Sequence, residues 1–557
     1  MSQQKSLQKN QNSNPSEMTD SAERYIGFLD VCNERYLSGW CLKIVGKKVI
    51  PTHVIVTVGN IRYQVLANGF RQDLHDKAGV SFGHFSLELP AGQTLAPSVY
   101  FENGAAVPKP QQIQPLIKSS IDNDHDAFFS GWATSSKNVL PLVQIFCDDQ
   151  LVVQTYASRF RKDLEEAGLN NGFSAFRCRI PVSVRGKRNV STQILADGVE
   201  IYSTIRSYSP LSVLIVSETE RLEDASRYYR CENLRKILQA EEIEATVIGP
   251  EEFSSKVWIH VDVIIFARFG ADEAMFEKIK NYKEAYGIKI IYEVDDLVFL
   301  PWHIFDLGSV RSGVDKIDNP NLAKMFARRL RLITLADAAI TTTSKIADHL
   351  TAMGLECKLI PNMVRPHEIS NRARPLTKNL RLLCMSGSPT HYKDFQDIEQ
   401  VLIKFLRRNK DSCELTLLGH FRAGLQIMEL PNVKHIPRVP YPQMLQAIDK
   451  SDLCLVPLEF TEFNDAKSCL KFIECGARGV PVLASATADY QRVIVNRVNG
   501  LIAKDLDEWS TQLDACANGE LDLFNFGLQA QIEVAQKFNL EKANFSLRQF
   551  INGIQNA

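Results

Sequence analysis

The sequence lacks an apolar stretch long enough to cross a bilayer. Its longest apolar runs, such as "VDVIIFARF" at 261–269, are much shorter than the ~18 residues that a membrane span needs. The first twenty residues have no apolar core of the kind found in signal peptides, and their Gln, Asn and Ser content predicts a disordered tail over residues 1–22. We therefore expect a cytoplasmic protein, with any membrane attachment peripheral and at the inner face of the cytoplasmic membrane.

Paired cysteines, excess charge and metal-binding motifs are also missing. The 12 cysteines are scattered without a C-x-x-C pair, which favours buried, reduced thiols. The formal net charge of −1 argues against a nucleic-acid partner, which would require a strong basic excess. No H-E-x-x-H, G-x-x-x-x-G-K-[ST] or nucleophile-elbow pattern occurs, so we expect neither a metal nor a cofactor. Metal-ligand spacing is likewise absent among His260, His349, His367, His420 and His435.

A duplicated pattern follows the N-terminal tail. At 557 residues the chain is long enough for about three to four domains, and two of them, 23–115 and 120–206, repeat the same landmarks. Short alternating apolar runs separated by Gly and Asn predict two small all-β, sandwich-like modules, each with a helical turn or loop at "FR-x-DL". The paired landmarks are Ser38-Gly39-Trp40 with Ser130-Gly131-Trp132, Phe70-Arg71 with Phe160-Arg161, and Asp73-Leu74 with Asp163-Leu164.

The repeated tryptophans have two interpretations. Trp40 and Trp132 would serve as stacking platforms if the modules bind glycan. A large aromatic residue within a strand is more often part of the core, however, and we expect the core position for both. The repeated arginines, Arg71 and Arg161, are expected to form structural ion pairs with the aspartates two residues further on.

From residue 211 the pattern changes to strands that alternate with amphipathic helices. Continuous β-branched runs such as "SVLIVS" and "KIIYEV" predict parallel sheets that are covered on both faces. The pattern restarts after "RPHEISNRARPLTKN", which gives two doubly wound, Rossmann-like α/β domains at 211–365 and 378–540. We expect a C-terminal helix at 541–557 to pack back on the first of them. Ligands lie beyond the carboxyl ends of parallel strands, so we expect a cleft between the two sheets.

A stripe of charges lies in the second of these domains. If "AKSCLKFIECGAR" is one helix, then Lys467, Lys471 and Glu474 fall at i, i+4 and i+7 and share a face. The segment follows the strand "LCLVPL", so the helix N-terminus and both lysines would lie at the cleft and suit a diphosphate. Glu474, one turn deeper, would accept hydrogen bonds from a ribose diol. The alternative is an ordinary Lys/Glu pair on the surface.

Residues 211–550 resemble GT-B glycosyltransferases of the "glycosyl transferases group 1" type. The most specific resemblance lies in "NDAKSCLKFIECGARGVPVLAS", in Tyr490 and in "VNGLIAKDLDEW". It implies that Glu474 binds the ribose of a nucleotide sugar and that Lys467 and Lys471 lie near the donor phosphates.

The resemblance also implies a basic contact to the diphosphate, and Lys393 in "CMSGSPTHYKDFQDI" matches it best. Many relatives carry a glutamate that touches the donor sugar at the position of Ala466, so this carboxylate is missing here. Asn464 and Asp465 are the candidates to replace it. The further donor-binding candidates in these two loops are Ser468, His391 and Gly387.

Other charged residues lie near predicted strand ends. Asp295 and Asp296 follow "KIIYEV", where adjacent carboxylates can raise one another's pKa and accept a proton or bind acceptor hydroxyls. The alternatives are a GT-A-type acidic metal motif, which the doubly wound second domain disfavours, and a structural cap. Arg227, Arg230 and His303 are candidates to meet an anionic acceptor or the distal phosphate. For these, a solvated helix face and a packed histidine are the alternatives.

These residues predict a metal-independent glycosyltransferase, with a nucleotide sugar as co-substrate and no other cofactor. The acceptor would be a glycan, lipid-linked or protein-linked, such as a surface polysaccharide of the cell envelope. The resemblance implies retention of configuration, and we expect Asp295, Asp296 and Lys393 to be catalytic. Two alternatives stay open: a non-catalytic carbohydrate-binding scaffold with the same fold, favoured by Ala466, and a GT-B-fold sugar-nucleotide epimerase.

Overall fold

The computed structural model describes residues 23–32, 36–59, 61–89, 97–108, 117–135, 140–221, 224–311, 319–370, 379–422 and 424–556. The predicted tail at 1–22 lies outside these residues. The chain forms two compact units, one comprising Met1–Ile180 and Asn189–Arg206, the other Pro181–Arg188 and Ser207–Ala557. Within the described part of the chain, every helix is too short or too polar to span a bilayer.

The first β module is an antiparallel sandwich. Its elements are β1 (Glu23–Cys32), β2 (Tyr36–Val45), β3 (Lys48–Ile50), β4 (Thr52–Val58), β5 (Ile61–Ala67), α1 (Gln72–Ala78), β6 (His84–Glu88) and β7 (Ser98–Phe101). One sheet has the order β1-β2-β3 with β6 beside β2, and the other has the order β5-β4-β7. Leu37 and Cys41 from the first sheet share a buried cluster with Val54 and Phe101 from the second, so both sheets contribute to one core.

The second β module repeats this plan. Its elements are β8 (Ile117–His125), β9 (Phe128–Ser135), β10 (Leu142–Cys147), β11 (Gln150–Tyr156), β12 (Arg159–Phe160), α2 (Lys162–Glu166), β13 (Phe173–Arg179), β14 (Val190–Ala196) and β15 (Val199–Arg206). The two antiparallel sheets have the orders β12-β13-β9-β8 and β11-β10-β14-β15. Each sheet has one buried face, which carries Phe129 and Phe176 in the first and Val143 and Ile194 in the second.

The repeated "FR-x-DL" motif forms a short helix in both modules, α1 and α2. The arginine that precedes each helix is held by two carboxylates, one of them on the helix and the other on an earlier strand. The ion pairs are Arg71 with Asp73 and Asp30, and Arg161 with Asp163 and Asp122. The predicted structural pairing is therefore present in both copies.

The repeated tryptophans are not core residues, and that prediction is wrong. In each copy the inward position is taken by the preceding glycine, Gly39 or Gly131. A Cβ there would lie 2.5 Å and 2.2 Å, respectively, from a carbonyl oxygen of the neighbouring strand. Because successive side chains of a strand face opposite sides, Trp40 and Trp132 point to the other face, where both are only half-buried. Their use as glycan platforms stays a prediction.

The second unit begins with a doubly wound domain. Its elements are β16 (Ser212–Ser217), α3 (Asn233–Ala240), β17 (Glu244–Ile248), α4 (Pro250–Ser255), β18 (Val263–Ala267), α5 (Glu273–Tyr286), β19 (Lys289–Val294), α6 (Gly308–Arg311), α7 (Asn319–Ile333), β20 (Ala338–Thr341), α8 (Ser344–Ala352) and β21 (Glu356–Leu359). The six parallel strands have the order β17-β16-β18-β19-β20-β21, and a separate apolar cluster covers each face. A π-helical segment, Arg227–Glu232, leads directly into α3.

A second doubly wound domain follows. Its elements are β22 (Leu380–Ser386), α9 (Tyr392–Arg408), β23 (Cys413–Gly419), β24 (Val433–Ile436), α10 (Tyr441–Asp449), β25 (Leu453–Val456), α11 (Glu462–Asp465), α12 (Leu470–Ala477), β26 (Val482–Ser485), α13 (Ala488–Val493), β27 (Leu501–Ala503), α14 (Leu506–Ala517) and α15 (Leu523–Lys537). The six parallel strands have the order β24-β23-β22-β25-β26-β27. The strands after β22 are added on one side of it up to β24 and then on its other side from β25 to β27, so the sheet has a topological switch between β22 and β25. The predicted pair of Rossmann-like domains is confirmed.

The chain ends on the first doubly wound domain. Val364 and Asn539 lie side by side, and the final helix α16 (Leu547–Asn556) follows. Leu547 and Ile551 of α16 are buried in the same apolar cluster as residues of α3 and β16. The C-terminal segment thus crosses from the second domain back to the first.

Candidate functional site

A cavity of about 540 Å³ lies between the two doubly wound domains. Residues directly after parallel strands line it: Glu218 after β16, Arg268 after β18 and Asp295 after β19 from the first domain. Gly387 after β22 and Pro457 after β25 line it from the second. The cavity therefore occupies the place where doubly wound sheets bind their ligands.

The wall from the second domain is basic. Lys467, Lys471 and Arg438 all line it, together with Ser468. The Lys467 ammonium lies over the ring of Phe463, 5.1 Å from its centroid. Burial alone would lower the pKa of Lys471, but nearby groups, with Glu474 foremost, raise it, so this side chain stays charged. The structure thus brings the two predicted lysines together in the cavity. Arg438 also lines it, but the sequence analysis did not identify this residue.

The predicted continuous helix over "AKSCLKFIECGAR" is wrong. Helix α11 ends at Asp465 and α12 begins only at Leu470, so Lys467 lies in the irregular segment between them. Partners outside the segment satisfy its backbone: the Thr343 hydroxyl donates to the Ala466 carbonyl at 2.8 Å. The Cys469 N–H donates to a carboxylate oxygen of α13 at 2.7 Å. These tertiary hydrogen bonds replace the helical ones, and the sequence gives no local sign of them.

Glu474 lies beside this wall but not on the cavity surface. The residue is 3% exposed, so the alternative of a surface Lys/Glu pair is wrong. The Tyr229 hydroxyl of the first domain donates to Oε1 at 3.0 Å, and the Lys471 ammonium lies 3.4 Å from Oε2. Tyr229 also contacts the Tyr441 hydroxyl at 2.8 Å. The carboxylate is therefore held at the junction of the two domains, and its contact with a ribose stays a prediction.

His391 lines the cavity in a fixed orientation. Its Nδ1 lies 2.9 Å from Asp394 Oδ2. Burial and then the charge of Lys467 lower the pKa of His391, so its imidazole is neutral at pH 7. Burial would raise the pKa of Asp394, but the hydrogen bond from His391 and the charge of Lys467 hold it below its ordinary value. Because the ionised carboxylate must accept, Nδ1–H donates and Nε2 remains an acceptor.

The wall from the first domain carries a charged cluster. Asp295 and Asp296 follow β19, as predicted, and the Arg268 guanidinium lies 3.1 Å and 3.6 Å from their respective carboxylates. Glu218 bridges Arg268 at 3.2 Å and Arg329 at 2.7 Å. The sequence analysis did not identify Arg268 or Glu218. Both come directly after a strand, as Asp295 does, so the same criterion could have found them. Arg329 lies within α7, where nothing in the sequence marks it.

Besides Glu474, three donor-side candidates do not line the cavity. The Lys393 ammonium is bound 2.6 Å from a carboxylate one turn further along α9. The Asn464 amide donates to Asp394 at 2.7 Å, and Asp465 accepts from the first backbone N–H of α13 at 2.7 Å. Asn464 and Asp465 thus hold loops in place, and the contacts of these residues and of Lys393 with a donor stay predictions.

Three acceptor-side candidates are internal. Arg227 and Arg230 are buried, so the solvated helix face is wrong. Arg230 forms an ion pair with Glu293, 2.6 Å between Nε and Oε1, and Arg227 donates to a backbone carbonyl at 3.0 Å. His303 is buried and its Nδ1 lies 2.6 Å from Asp306 Oδ2. None of the three lines the cavity, because their side chains are used inside the fold.

Asp296→Asn is expected to stabilise the protein at neutral pH by up to about 3 kcal/mol. Burial and the neighbouring Asp295 raise the pKa of Asp296 to about 6, against Arg268 and Lys467, which lower it. The folded state therefore keeps a proton that the unfolded chain has lost, and the contribution of Asp296 to wild-type stability falls as pH rises from about 4 to about 6. Asparagine does not titrate, so the gain in Tm should grow over this window and stay constant above it.

Thermal unfolding at a series of pH values measures this difference. Asp411→Asn, at an exposed site away from the cavity, is the control and should track the wild type. Parallel Tm curves for Asp296→Asn and the wild type would show that Asp296 has an ordinary pKa.

Two doubly wound domains that face each other across a cavity at their strand ends give this part of the chain the GT-B fold. Residues 380–518 match the model of the family described as Glycosyl transferases group 1. The match lies within the second doubly wound domain and includes the residues that carry the most specific part of the resemblance stated above. No curated protein matches the chain.

Solved structures show distant likenesses. HepE of Anabaena in complex with UDP and glucose is 15% identical, with 62% of this chain and 100% of that chain covered and a TM-score of 0.42. Sucrose-phosphate synthase from Thermosynechococcus elongatus is 15% identical, with 62% and 99% covered and a TM-score of 0.41. A S. aureus TarM mutant in complex with fondaparinux, alpha-GlcNAc-glycerol and UDP is 12% identical, with 85% and 78% covered and a TM-score of 0.38. With TM-scores below 0.5, these likenesses carry no functional argument.

Proposed function

We propose that the protein transfers a sugar from a nucleoside-diphosphate sugar to a hydroxyl group of a glycan acceptor such as a surface polysaccharide. The observation that carries this proposal is that the two walls of the cavity carry opposite charges. Lys467, Lys471 and Arg438 line one wall, and Asp295 and Asp296 line the other. A diphosphate requires cations, whereas carboxylates accept hydrogen bonds from sugar hydroxyls. The donor would therefore lie against the second domain and the acceptor against the first.

The basic wall suits the leaving group of such a transfer. Negative charge develops on the diphosphate as the bond to the anomeric carbon breaks, and fixed cations in a partly buried site stabilise it. The strand-to-helix turn at Gly387 offers space for a close approach, because a Cβ there would meet no heavy atom within 4 Å. We assign the diphosphate to the space between this turn and the two lysines.

The donor sugar would lie beside His391. Its neutral imidazole presents Nε2 as an acceptor, since Asp394 holds the proton on Nδ1. An acceptor nitrogen fixed in this way can orient one sugar hydroxyl. Ala466, at the position where relatives carry a carboxylate, is buried and its carbonyl is bound to Thr343, so the sugar loses one polar contact.

Contacts between the two domains would keep water out during transfer. Arg311 pairs with Glu459 at 2.7 Å, and the Asn362 amide donates to the Ser468 hydroxyl at 2.9 Å. Such contacts hold the cavity closed and limit hydrolysis of the donor.

The proposal includes two further points. The transfer needs no divalent cation in the cavity, and it retains the configuration at the anomeric carbon. Lysines and an arginine supply the positive charge that a metal ion supplies in GT-A enzymes. Retention requires the acceptor oxygen to attack from the face that the diphosphate leaves, and a diphosphate oxygen then takes the hydroxyl proton. The stereochemistry itself is taken from the family resemblance.

Release of nucleoside diphosphate from a panel of nucleotide sugars, with and without glycan acceptors, tests the proposal. We expect release that depends on both a donor and an acceptor, with a glycosylated product. Binding of nucleotide sugar without any turnover would favour the non-catalytic scaffold. Conversion of the donor to another nucleotide sugar without an acceptor would favour the epimerase.

A further inference from the structure

Two imidazoles and a carboxylate converge where the doubly wound domains meet, outside the cavity lining. His303 lies in the turn Pro301–Asp306 and His349 lies in α8, both in the first domain, whereas Glu462 opens α11 in the second. The candidate ligand atoms of the three side chains lie within 4.8 Å of one another. His349 Nε2 is 3.2 Å from Glu462 Oε1, and His303 Nε2 is 3.8 Å from Oε2.

His303 has the environment of a metal-binding histidine. Its side chain is 2% exposed, and Nδ1 lies 2.6 Å from Asp306 Oδ2. Its Nε2 is buried and has no hydrogen-bond partner among the described residues. A buried polar atom without a partner costs free energy, so this nitrogen requires an explanation. In metal-bound histidines, one imidazole nitrogen binds the metal and the other usually donates a hydrogen bond to a carboxylate or carbonyl. Asp306 takes this second role for His303, which leaves Nε2 facing the other two side chains.

We propose that His303, His349 and Glu462 bind one zinc-class transition-metal cation, through the two Nε2 atoms and the carboxylate. Two imidazoles and one carboxylate suit Zn²⁺ and leave a fourth position for water, whereas Ca²⁺ and Mg²⁺ prefer oxygen ligands alone. Tetrahedral bonds of ~2.0–2.2 Å place ligand atoms about 3.4 Å apart, close to the separations found here. The Glu462 side chain is 61% exposed and that of His349 is 30% exposed, so the site is open to a cation and its ligands can adjust.

The bound cation would link the two domains beside the cavity. Two ligands come from the first domain and one from the second. Phe463, the residue after Glu462, lines the cavity and carries the Lys467 ammonium over its ring. The site therefore fixes the position of a cavity residue without touching the cavity contents. The sequence predicted no metal because these ligands are far apart in the chain and only the tertiary fold brings them together.

Titration of the chelator-treated, full-length protein with Zn²⁺ and with Co²⁺ tests the site. We expect one tight site per chain by calorimetry, and a visible Co²⁺ spectrum of four-coordinate nitrogen and oxygen ligands. His303→Ala, His349→Ala and Glu462→Gln should each weaken binding by about 100-fold or more. Asp306→Asn, which alters only the support of His303, should weaken it by about 10–100-fold. His367→Ala, at an exposed histidine elsewhere, is the matched control and should bind as the wild type does.

Three results would overturn the proposal. One is a wild-type protein that binds no Zn²⁺ at one ion per chain. Another is unchanged binding in Glu462→Gln, an exposed substitution that should leave the fold intact. The third is a Co²⁺ spectrum with thiolate charge-transfer bands, which would place the metal on the cysteines.

Discussion

Arg230→Ala should lower the free energy of unfolding of the second unit by about 3–5 kcal/mol. Arg230 and Glu293 are both buried, and their side chains meet at 2.6 Å. Arg230 also donates to the Ile360 carbonyl at 3.0 Å and to the Asn362 amide oxygen at 3.2 Å. Alanine would leave Glu293 in the sheet core without its partner. The carboxyl must then either stay a lone buried charge or take up a proton that the unfolded chain has released at neutral pH, and both cost free energy.

The loss of unfolding free energy in Arg230→Ala should be smaller at acidic pH. Burial raises the pKa of Glu293 to about 7, although Arg230 opposes the shift. Without Arg230 the pKa of Glu293 would be higher still. At a pH below this pKa the carboxyl is protonated, so it is buried as a neutral group. The folded state then binds a proton that the unfolded chain has released above about pH 4, so stability of the variant falls as pH rises.

Thermal and denaturant unfolding measure this effect. For a unit of this size, a Tm about 4–7 °C below that of the wild type corresponds to the expected loss. The double variant Arg230→Met/Glu293→Leu should recover most of it, because a buried pair can be replaced by apolar side chains at little cost. Arg408→Ala, which breaks a surface pair with Asp514, is the control and should change little. An Arg230→Ala protein as stable as the control would refute the account of this pair.

Lys467→Ala should slow sugar transfer by about 10²-fold or more at saturating donor. Among the described residues, no carboxylate lies within 4.0 Å of the Lys467 ammonium, so its charge is available to an anion in the cavity. Lys471, by contrast, already lies beside Glu474. The stabilisation by Lys467 should be greatest when the diphosphate leaves, and kcat should therefore fall more than KM rises.

The rate of nucleoside diphosphate release with donor and acceptor is the readout. Lys467→Arg keeps the charge and should retain part of the activity. Lys404→Ala, on the exposed face of α9, is the matched control and should keep the wild-type rate. A kcat of Lys467→Ala within twofold of the wild type would remove Lys467 from the catalytic contacts.

Much of the fold could be predicted because the second unit follows local rules. Continuous apolar strands between helices indicated the two doubly wound domains. A strand end then indicated where Asp295 would lie, and the family resemblance indicated Gly387. Both line the cavity. Lys467 and Lys471 also line it, although the helix that was expected to align them is interrupted.

The remaining features depend on tertiary contacts that no local pattern encodes. The break before α12 depends on Thr343, which is distant in sequence. Spacing alone could not show that Lys393 is turned toward a carboxylate of its own helix or that Arg230 is buried. The convergence of His303 with ligands from two other helices is likewise invisible in the chain.

Binding of nucleoside diphosphates is the most direct test of the central claim, that the basic wall of the cavity holds a diphosphate. At 100 times its Kd, a ligand of the folded state stabilises it by about 2.7 kcal/mol, which a thermal-shift titration resolves readily. We expect at least one nucleoside diphosphate to raise the Tm of the wild type and of Lys404→Ala, and to lose most of this effect in Lys467→Ala and Lys471→Ala. An equal shift in all four proteins, or no shift with any base, would contradict the claim.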